Sequence, residues 1–217
     1  MTYCVALRLN RGLVFAADTR TNAGVDNIAQ FRKIHYWCER GDRVIVLLAA
    51  GNLSLTQSVI SLLNEQLLDQ DPEKPNLLNV QSMYRAARLV GDAVRAVRAF
   101  DGPALELSKT SFAGSFILGG QIKTEPSRLF QVYPEGNFIE ATDDTPYFQL
   151  GESKYGKPIL DRVISMATPQ KEAAKCVLIS FDSTMKSNIS VGLPIDLLWY
   201  PRDSLRVGMR RAPDRTG

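Results

Sequence analysis

The hydrophobic period switches from two to about 3.6 and back again, twice, along 217 residues. That order of elements constrains the fold more than any other feature of the chain. Residues 2–9 are rich in β-formers, Asn10-Arg11-Gly12 reads as a turn, and 13–17 (LVFAA) is a short apolar run. Residues 33–37 and 44–50 flank a second turn at Arg40-Gly41-Asp42, so two hairpins in succession are expected. From Asn52 the residues Leu53, Val59, Ile60, Leu63 and Leu67 recur at helical spacing, which predicts a helix stopping near Asp71-Pro72. A second helix fits 80–100, with Met83, Ala87, Val90, Val94 and Val97 on one face. Arg85, Arg88, Arg95 and Arg98 read as its solvated face rather than a binding patch. Strands are expected at 115–122 and 129–133, then across the turn Pro134-Glu135-Gly136-Asn137 into 138–141. Two further helices fit 154–166 and 169–181, and strands close the chain at 196–200 and 204–210.

Strands, two helices, strands, two helices, strands: this order predicts an α+β fold. Two antiparallel sheets would stack with helices outside, a four-layer α/β/β/α sandwich. It argues against a doubly wound sheet, where strand and helix alternate one by one. Gly119-Gly120 sits inside a strand and reads as a close-packing site. No repeat, linker or low-complexity stretch divides the chain, so residues 1–217 form a single expected domain.

Composition removes several function classes. The 45% hydrophobic and 23% charged content suits a globular chain, and at this length about 70% of the unfolded surface is typically buried. Net charge is +3, with much of the excess in 206–215, so no basic stripe marks a nucleic-acid partner. Cys4, Cys38 and Cys176 form no C-x-x-C pair, and His35 is the single histidine, so no metal site is expected. No run of about 18 apolar residues crosses a membrane, and the opening MTYCVALR has no signal-peptide core. With unpaired cysteines, the expected location is cytoplasmic.

The chemistry converges on the first fifty residues. Methionine is usually removed before a residue as small as Thr2, which would then carry a hydroxyl nucleophile and a free α-amine. An α-amine has an ordinary pKa of about 7.7–8.0, suited to a general base near neutral pH. Nucleophile and base would belong to one residue. Asp18 stands at the mouth of an apolar strand, where a carboxylate needs a partner. Lys33 enters the next strand, and a buried Lys33–Asp18 pair would place a positive charge by Thr2. At the strand-to-helix junction Ala50-Gly51, the Gly51 N–H is placed to meet an oxyanion. His35 reads as a structural histidine and Cys4 as a buried thiol.

Thr2 after Met1, Ala17-Asp18-x-Arg20-x-x-Ala23-Gly24, Lys33, and Ala50-Gly51 followed by Thr56-Gln57 together resemble a proteasome β-type subunit. Those proteins are N-terminal-nucleophile hydrolases. The segments 181–185 (FDSTM) and 190–194 (SVGLP) are most similar to the bacterial branch called Anbu, the ancestral beta subunit. The resemblance implies the four-layer fold and a threonine peptidase that cuts peptide bonds through an acyl-enzyme on Thr2, without cofactor. It implies that Asp18 and Lys33 tune Thr2 and that Gly51 supplies the oxyanion hole. Gly151-Glu152-Ser153 resembles a family glycine-x-serine element, which implies Ser153 near the amine, and Asp182 matches a family aspartate supporting that amine. The chain departs from the family by one residue fewer between Gly24 and Lys33, and by Met185 where a serine follows the aspartate. Ser183 and Ser190 are the two candidates to replace it. Peptide would add as a strand along Thr21-Asn22 and Ala49–Gly51. Thr21, Ala49 and Leu53 would line the P1 pocket, with Arg32 beside it. The implied partners are peptide or unfolded protein and further copies of the chain, in a ring or open spiral of about twelve or more. An unfoldase partner is left open. Two rivals remain: an amidase of the same fold, and a catalytically silent self-assembling subunit.

Overall fold

The first predicted hairpin forms, with β1 (Tyr3–Leu9) antiparallel to β2 (Gly12–Asp18) and Leu9 opposite Gly12. It belongs to a computed structural model that describes residues 2–22, 28–69, 71, 73–107, 112–208 and 210–211. The side chains of 21, 22, 28, 29, 106, 107, 210 and 211 lie outside that description. A short ribbon follows, β3 (Arg20–Asn22) with β4 (Ile28–Gln30). The second predicted hairpin is β5 (Ile34–Glu39) with β6 (Arg43–Gly51). Then come α1 (Leu53–Glu65), α2 (Met83–Leu107), β7 (Gly114–Ile122), β8 (Arg128–Val132), β9 (Phe138–Glu140) and β10 (Tyr147–Gly151). The chain continues through α3 (Lys157–Val163), α4 (Gln170–Ser187), β11 (Ile195–Pro201) and β12 (Arg210–Arg211).

The strands make two five-stranded antiparallel sheets, ordered β10-β1-β2-β11-β12 and β5-β6-β7-β8-β9. Between them pack Cys4, Ala6, Phe15 and Ala17 from one sheet and Val46, Leu48, Ala50 and Ile117 from the other. α1 and α2 cover the far face of the second sheet, with Val59, Met83, Val90 and Val94 against Ile45, Leu47 and Phe116. α3 and α4 cover the far face of the first, with Leu160, Val177 and Phe181 against Tyr3, Val5 and Val14. Both faces of β2 are therefore buried along its whole length, which is why LVFAA is continuously apolar rather than alternating. Gly119 is a close-packing site: a Cβ there would stand 2.8 Å from the Phe15 ring of the facing sheet.

Several boundaries differ from the sequence expectation. α1 closes at Glu65 because its end tightens into i−3 bonds, Leu67 N–H to Asn64 carbonyl and Leu68 N–H to Glu65 carbonyl. α3 is shorter than 154–166: Gly156 caps it, and at Ile164 the backbone turns extended while Thr168 Oγ1 donates to the Val163 carbonyl at 3.1 Å. α4 runs past Phe181 to Ser187, held by a Lys186–Asp182 ion pair and ended by Asn188. β10 was not anticipated; its pairing with β1 is a long-range event that a five-residue run does not announce. Of the described residues in the expected strand 204–210, only Arg210 pairs with β11, and the pairing extends to Arg211.

Candidate active site

β2 ends by carrying Asp18 into the interior, where its side chain is fully buried. One carboxylate oxygen, Oδ1, accepts from Lys33 Nζ at 2.7 Å and from the Tyr3 N–H at 3.0 Å. Lys33 Nζ also donates to the Arg20 carbonyl at 2.6 Å. The other oxygen, Oδ2, is buried without a hydrogen-bond partner among the described residues. Burial pushes the Asp18 carboxyl up from its ordinary range, and the Lys33 ammonium and Tyr3 amide pull it back. Three separate stretches of backbone, at Tyr3, Arg20 and Lys33, are thus tied to one carboxylate and its cation.

Thr2 precedes β1, and both sides of its peptide link to Tyr3 are held. Its carbonyl accepts from the Glu152 N–H at 2.8 Å, and the Tyr3 N–H is the one bound to Asp18. The Tyr3 ring anchors the next step, packing edge-on to Phe181 and donating through its hydroxyl to Ser180 Oγ at 2.9 Å. Gly51 ends β6 with φ +117, and a Cβ there would lie 2.4 Å from the Ala113 carbonyl. Only glycine fits that conformation and that gap. Thr2, Lys33 and Gly51 line a single cleft of about 380 Å³, together with Ala49 and Leu53. His35, read from sequence as structural, lines this cleft as well, with Phe31 and Arg32.

The other sequence candidates are placed differently. Thr21 and Asn22 lie in β3, and their side chains are outside the described set. Ser153 is exposed, and Asp182 sits on the solvent face of α4 with its side chain 60% exposed, paired to Lys186 at 2.9 Å. Neither lines the cleft. Glu152 and Asn188 do not line it either, but the Glu152 main-chain N–H holds the Thr2 carbonyl, and the Glu152 side chain holds Asn188. Glu152 is buried; Oε1 accepts from the Lys154 N–H at 2.9 Å and Oε2 from Asn188 Nδ2 at 2.9 Å. The Lys154 amide first, and then Asn188, hold the Glu152 carboxyl below its ordinary range. Asn188 Oδ1 in turn accepts from the Ser190 N–H at 2.9 Å. Sequence reading missed both residues for local reasons. Gly151 has φ +84, so the chain turns there and Glu152, not its neighbour, faces inward. α4 is nearly two turns longer than its apolar pattern suggests, so the polar residue at its end is Asn188 rather than Asp182.

No group of three His, Cys, Asp or Glu side chains able to hold a metal occurs among the described residues. No described helix is long and apolar enough to cross a membrane.

No protein-family model matches the chain, and none of the curated proteins matches it. Solved structures do. Anbu from Hyphomicrobium sp. strain MC1 is 58% identical, covering 98% of this chain and 89% of that one, with a TM-score of 0.89. Anbu (ancestral beta-subunit) from Yersinia bercovieri is 56% identical over 97% of this chain and 86% of its own, with a TM-score of 0.89. The chain belongs to the Anbu family. A third Anbu, from Pseudomonas aeruginosa, was solved as a helical assembly; it is 52% identical over 98% of this chain and 88% of its own, at a TM-score of 0.92. Anbu proteins are proteasome β-subunit-like homologues, so the family suggested by Thr2, Asp18, Lys33 and Gly51 is the right one.

Proposed function

We propose that this Anbu protein is a threonine peptidase of the N-terminal-nucleophile type, built on the four-layer α/β/β/α sandwich. The observation that carries the reading is the meeting of Thr2, a buried lysine and the Gly51 backbone at one cleft. The mechanism requires loss of Met1, because the Thr2 nitrogen is otherwise an amide with no basic lone pair. Once freed, that amine takes the proton of Thr2 Oγ1 as the oxygen attacks the scissile carbonyl carbon. The negative charge that forms on the carbonyl oxygen meets the Gly51 N–H. The amine then passes its proton to the leaving nitrogen, the peptide bond breaks, and an ester on Thr2 remains. A water molecule, deprotonated by the same amine, hydrolyses the ester and restores Thr2.

Lys33 supplies a fixed positive charge beside the hydroxyl, and Asp18 keeps that charge in place at 2.7 Å. A nearby cation favours the neutral amine and the alkoxide-like oxygen over their protonated forms. In place of Ser153 and Asp182, we assign Glu152 and Asn188 to position the released amine: the Glu152 N–H holds the Thr2 carbonyl, and the Glu152 carboxylate in turn holds Asn188. A peptide strand would run between β3, at Thr21 and Asn22, and the end of β6, at Ala49 and Gly51. Ala49 and Leu53 would then lie under the P1 side chain. Self-assembly through the outer helices is part of the same reading, supported by the helical assembly of the Pseudomonas aeruginosa relative and by exposed Val163, Leu178 and Ile179 on α3 and α4.

The test is covalent labelling of protein lacking Met1 by a peptidyl epoxyketone, followed by intact mass and peptide mapping. An adduct on Thr2 supports the peptidase. Absence of any adduct across a broad peptide panel overturns it in favour of a silent self-assembling subunit, and turnover of small amides without peptides points to the amidase.

A further inference from the structure

The charge of the cleft bears on which peptides it accepts, and the argument rests on the threonine-peptidase reading above. Among the described residues, three basic side chains line the cavity, Arg32, Lys33 and His35, and no carboxylate does. The Lys33 ammonium is held in place by hydrogen bonds to Asp18 and to the Arg20 carbonyl, so it is not free to reach a P1 side chain. Arg32 is different. It is exposed, and among the described residues it has no ion pair or hydrogen bond. Arg32 is therefore the one basic residue lining the cleft whose charge has no partner among the described residues.

Helix α1 adds two neutral polar side chains, each able to donate and to accept hydrogen bonds. Gln57 and Ser61 lie one helical turn apart on the exposed face of α1 and border the same space. The groove continues along α1, and the first carboxylate along it is Glu65. Glu65 is exposed and lies outside the cleft, one turn or about 6 Å beyond Ser61 at 1.5 Å per residue. Ala49 leaves the floor open. A P1 side chain would meet a roomy pocket with one unneutralised guanidinium, an amide and a hydroxyl.

We propose that Arg32 is a specificity-determining residue, and that the site selects peptides with an acidic P1 side chain and rejects basic ones. A carboxylate reaching Arg32 gains a charge-assisted hydrogen bond. A lysine or arginine side chain at the same place meets like charge, with no carboxylate among the described residues that line the cleft to offset it.

Three peptidyl epoxyketones that differ only at P1, with glutamate, leucine or arginine, test this on the assembled protein lacking Met1. Intact mass reads the rate of adduct formation. The glutamate probe should label faster than the arginine probe by roughly tenfold, the factor that about 1.4 kcal/mol gives. That ratio should shrink toward one as salt approaches 1 M, where screening shortens the reach of charge to about 3 Å. Arg32→Glu, an exposed change, should invert the order of the two charged probes. An arginine probe that labels as fast as the glutamate one, or an order unchanged in Arg32→Glu, overturns the proposal while leaving the peptidase intact. Failure of all three probes overturns the peptidase reading, and the specificity falls with it.

Discussion

Lys33 Nζ lies 2.7 Å from Asp18 Oδ1, with Asp18 fully buried and Lys33 7% exposed. The pair joins the end of β2 to the start of β5, and its lysine lines the cleft together with Thr2 and Gly51. Lys33→Ala leaves the Asp18 carboxylate buried without its cation, which costs about 3 kcal/mol at neutral pH. Since burial already raises the Asp18 pKa, the variant should be least stable at high pH and recover as acid protonates Asp18. Melting temperatures across pH check the sign. Labelling of Thr2 should be lost in the same variant even where it is folded; unchanged labelling would reduce Lys33 to a structural cation.

Thr2 offers a second test. Thr2→Ser keeps hydroxyl and amine and should retain part of the turnover, whereas Thr2→Ala should fall to background. Protein with Met1 intact, verified by mass, should be as inert as Thr2→Ala. Equal rates from the processed and unprocessed forms would remove the N-terminal-nucleophile mechanism.

The Glu152–Asn188 pair predicts two pH effects. Hydrogen bonds lower the Glu152 pKa, so its stabilising contribution is present above the ordinary value of 4.5 and lost as pH falls through the lowered one. Glu152→Gln should therefore melt below the parent protein at neutral pH, and the gap should close in acid. A carboxylate beside an amine raises the amine pKa, so its removal should shift the rising limb of the labelling pH profile to lower pH. A limb that stays in place would leave Glu152 with a structural role alone.

Gly51→Ala should be damaging out of proportion to its size. The added Cβ meets the Ala113 carbonyl at 2.4 Å in a backbone of φ +117. A loss of about 1–3 kcal/mol is expected, together with loss of labelling because the N–H is displaced. Chemical denaturation and the epoxyketone assay read the two effects separately.

Cysteine reactivity checks the layering. Cys4 and Cys176 are buried and Cys38 is exposed, and burial pushes the Cys4 and Cys176 thiols up. Iodoacetamide at neutral pH should modify Cys38 in the folded protein and reach Cys4 and Cys176 only after unfolding. Rapid modification of Cys4 would place it outside the inter-sheet core.

The alternation of periods along the chain determined the two sheets and their helices, because local patterning follows the face each residue must bury. LVFAA, VIVLLAA and the helical spacing of Val59, Ile60 and Leu63 are all visible without coordinates. Asp18, Lys33 and Gly51 stand out for a related reason, since each is a charged or glycine residue at one end of an apolar run, whereas Thr2 stands out as the small hydroxyl residue after Met1. What the tertiary structure decided lies where direction depends on one backbone angle or one extra turn. The positive φ of Gly151 turns Glu152 inward and leaves Ser153 exposed, and the added length of α4 replaces Asp182 with Asn188. The place of His35 was likewise settled by packing, because β5 is an edge strand beside β6 and its outer end opens onto the cleft. Sequence spacing specifies which residues share an element, but only the folded chain specifies which of two neighbours faces the Thr2 carbonyl.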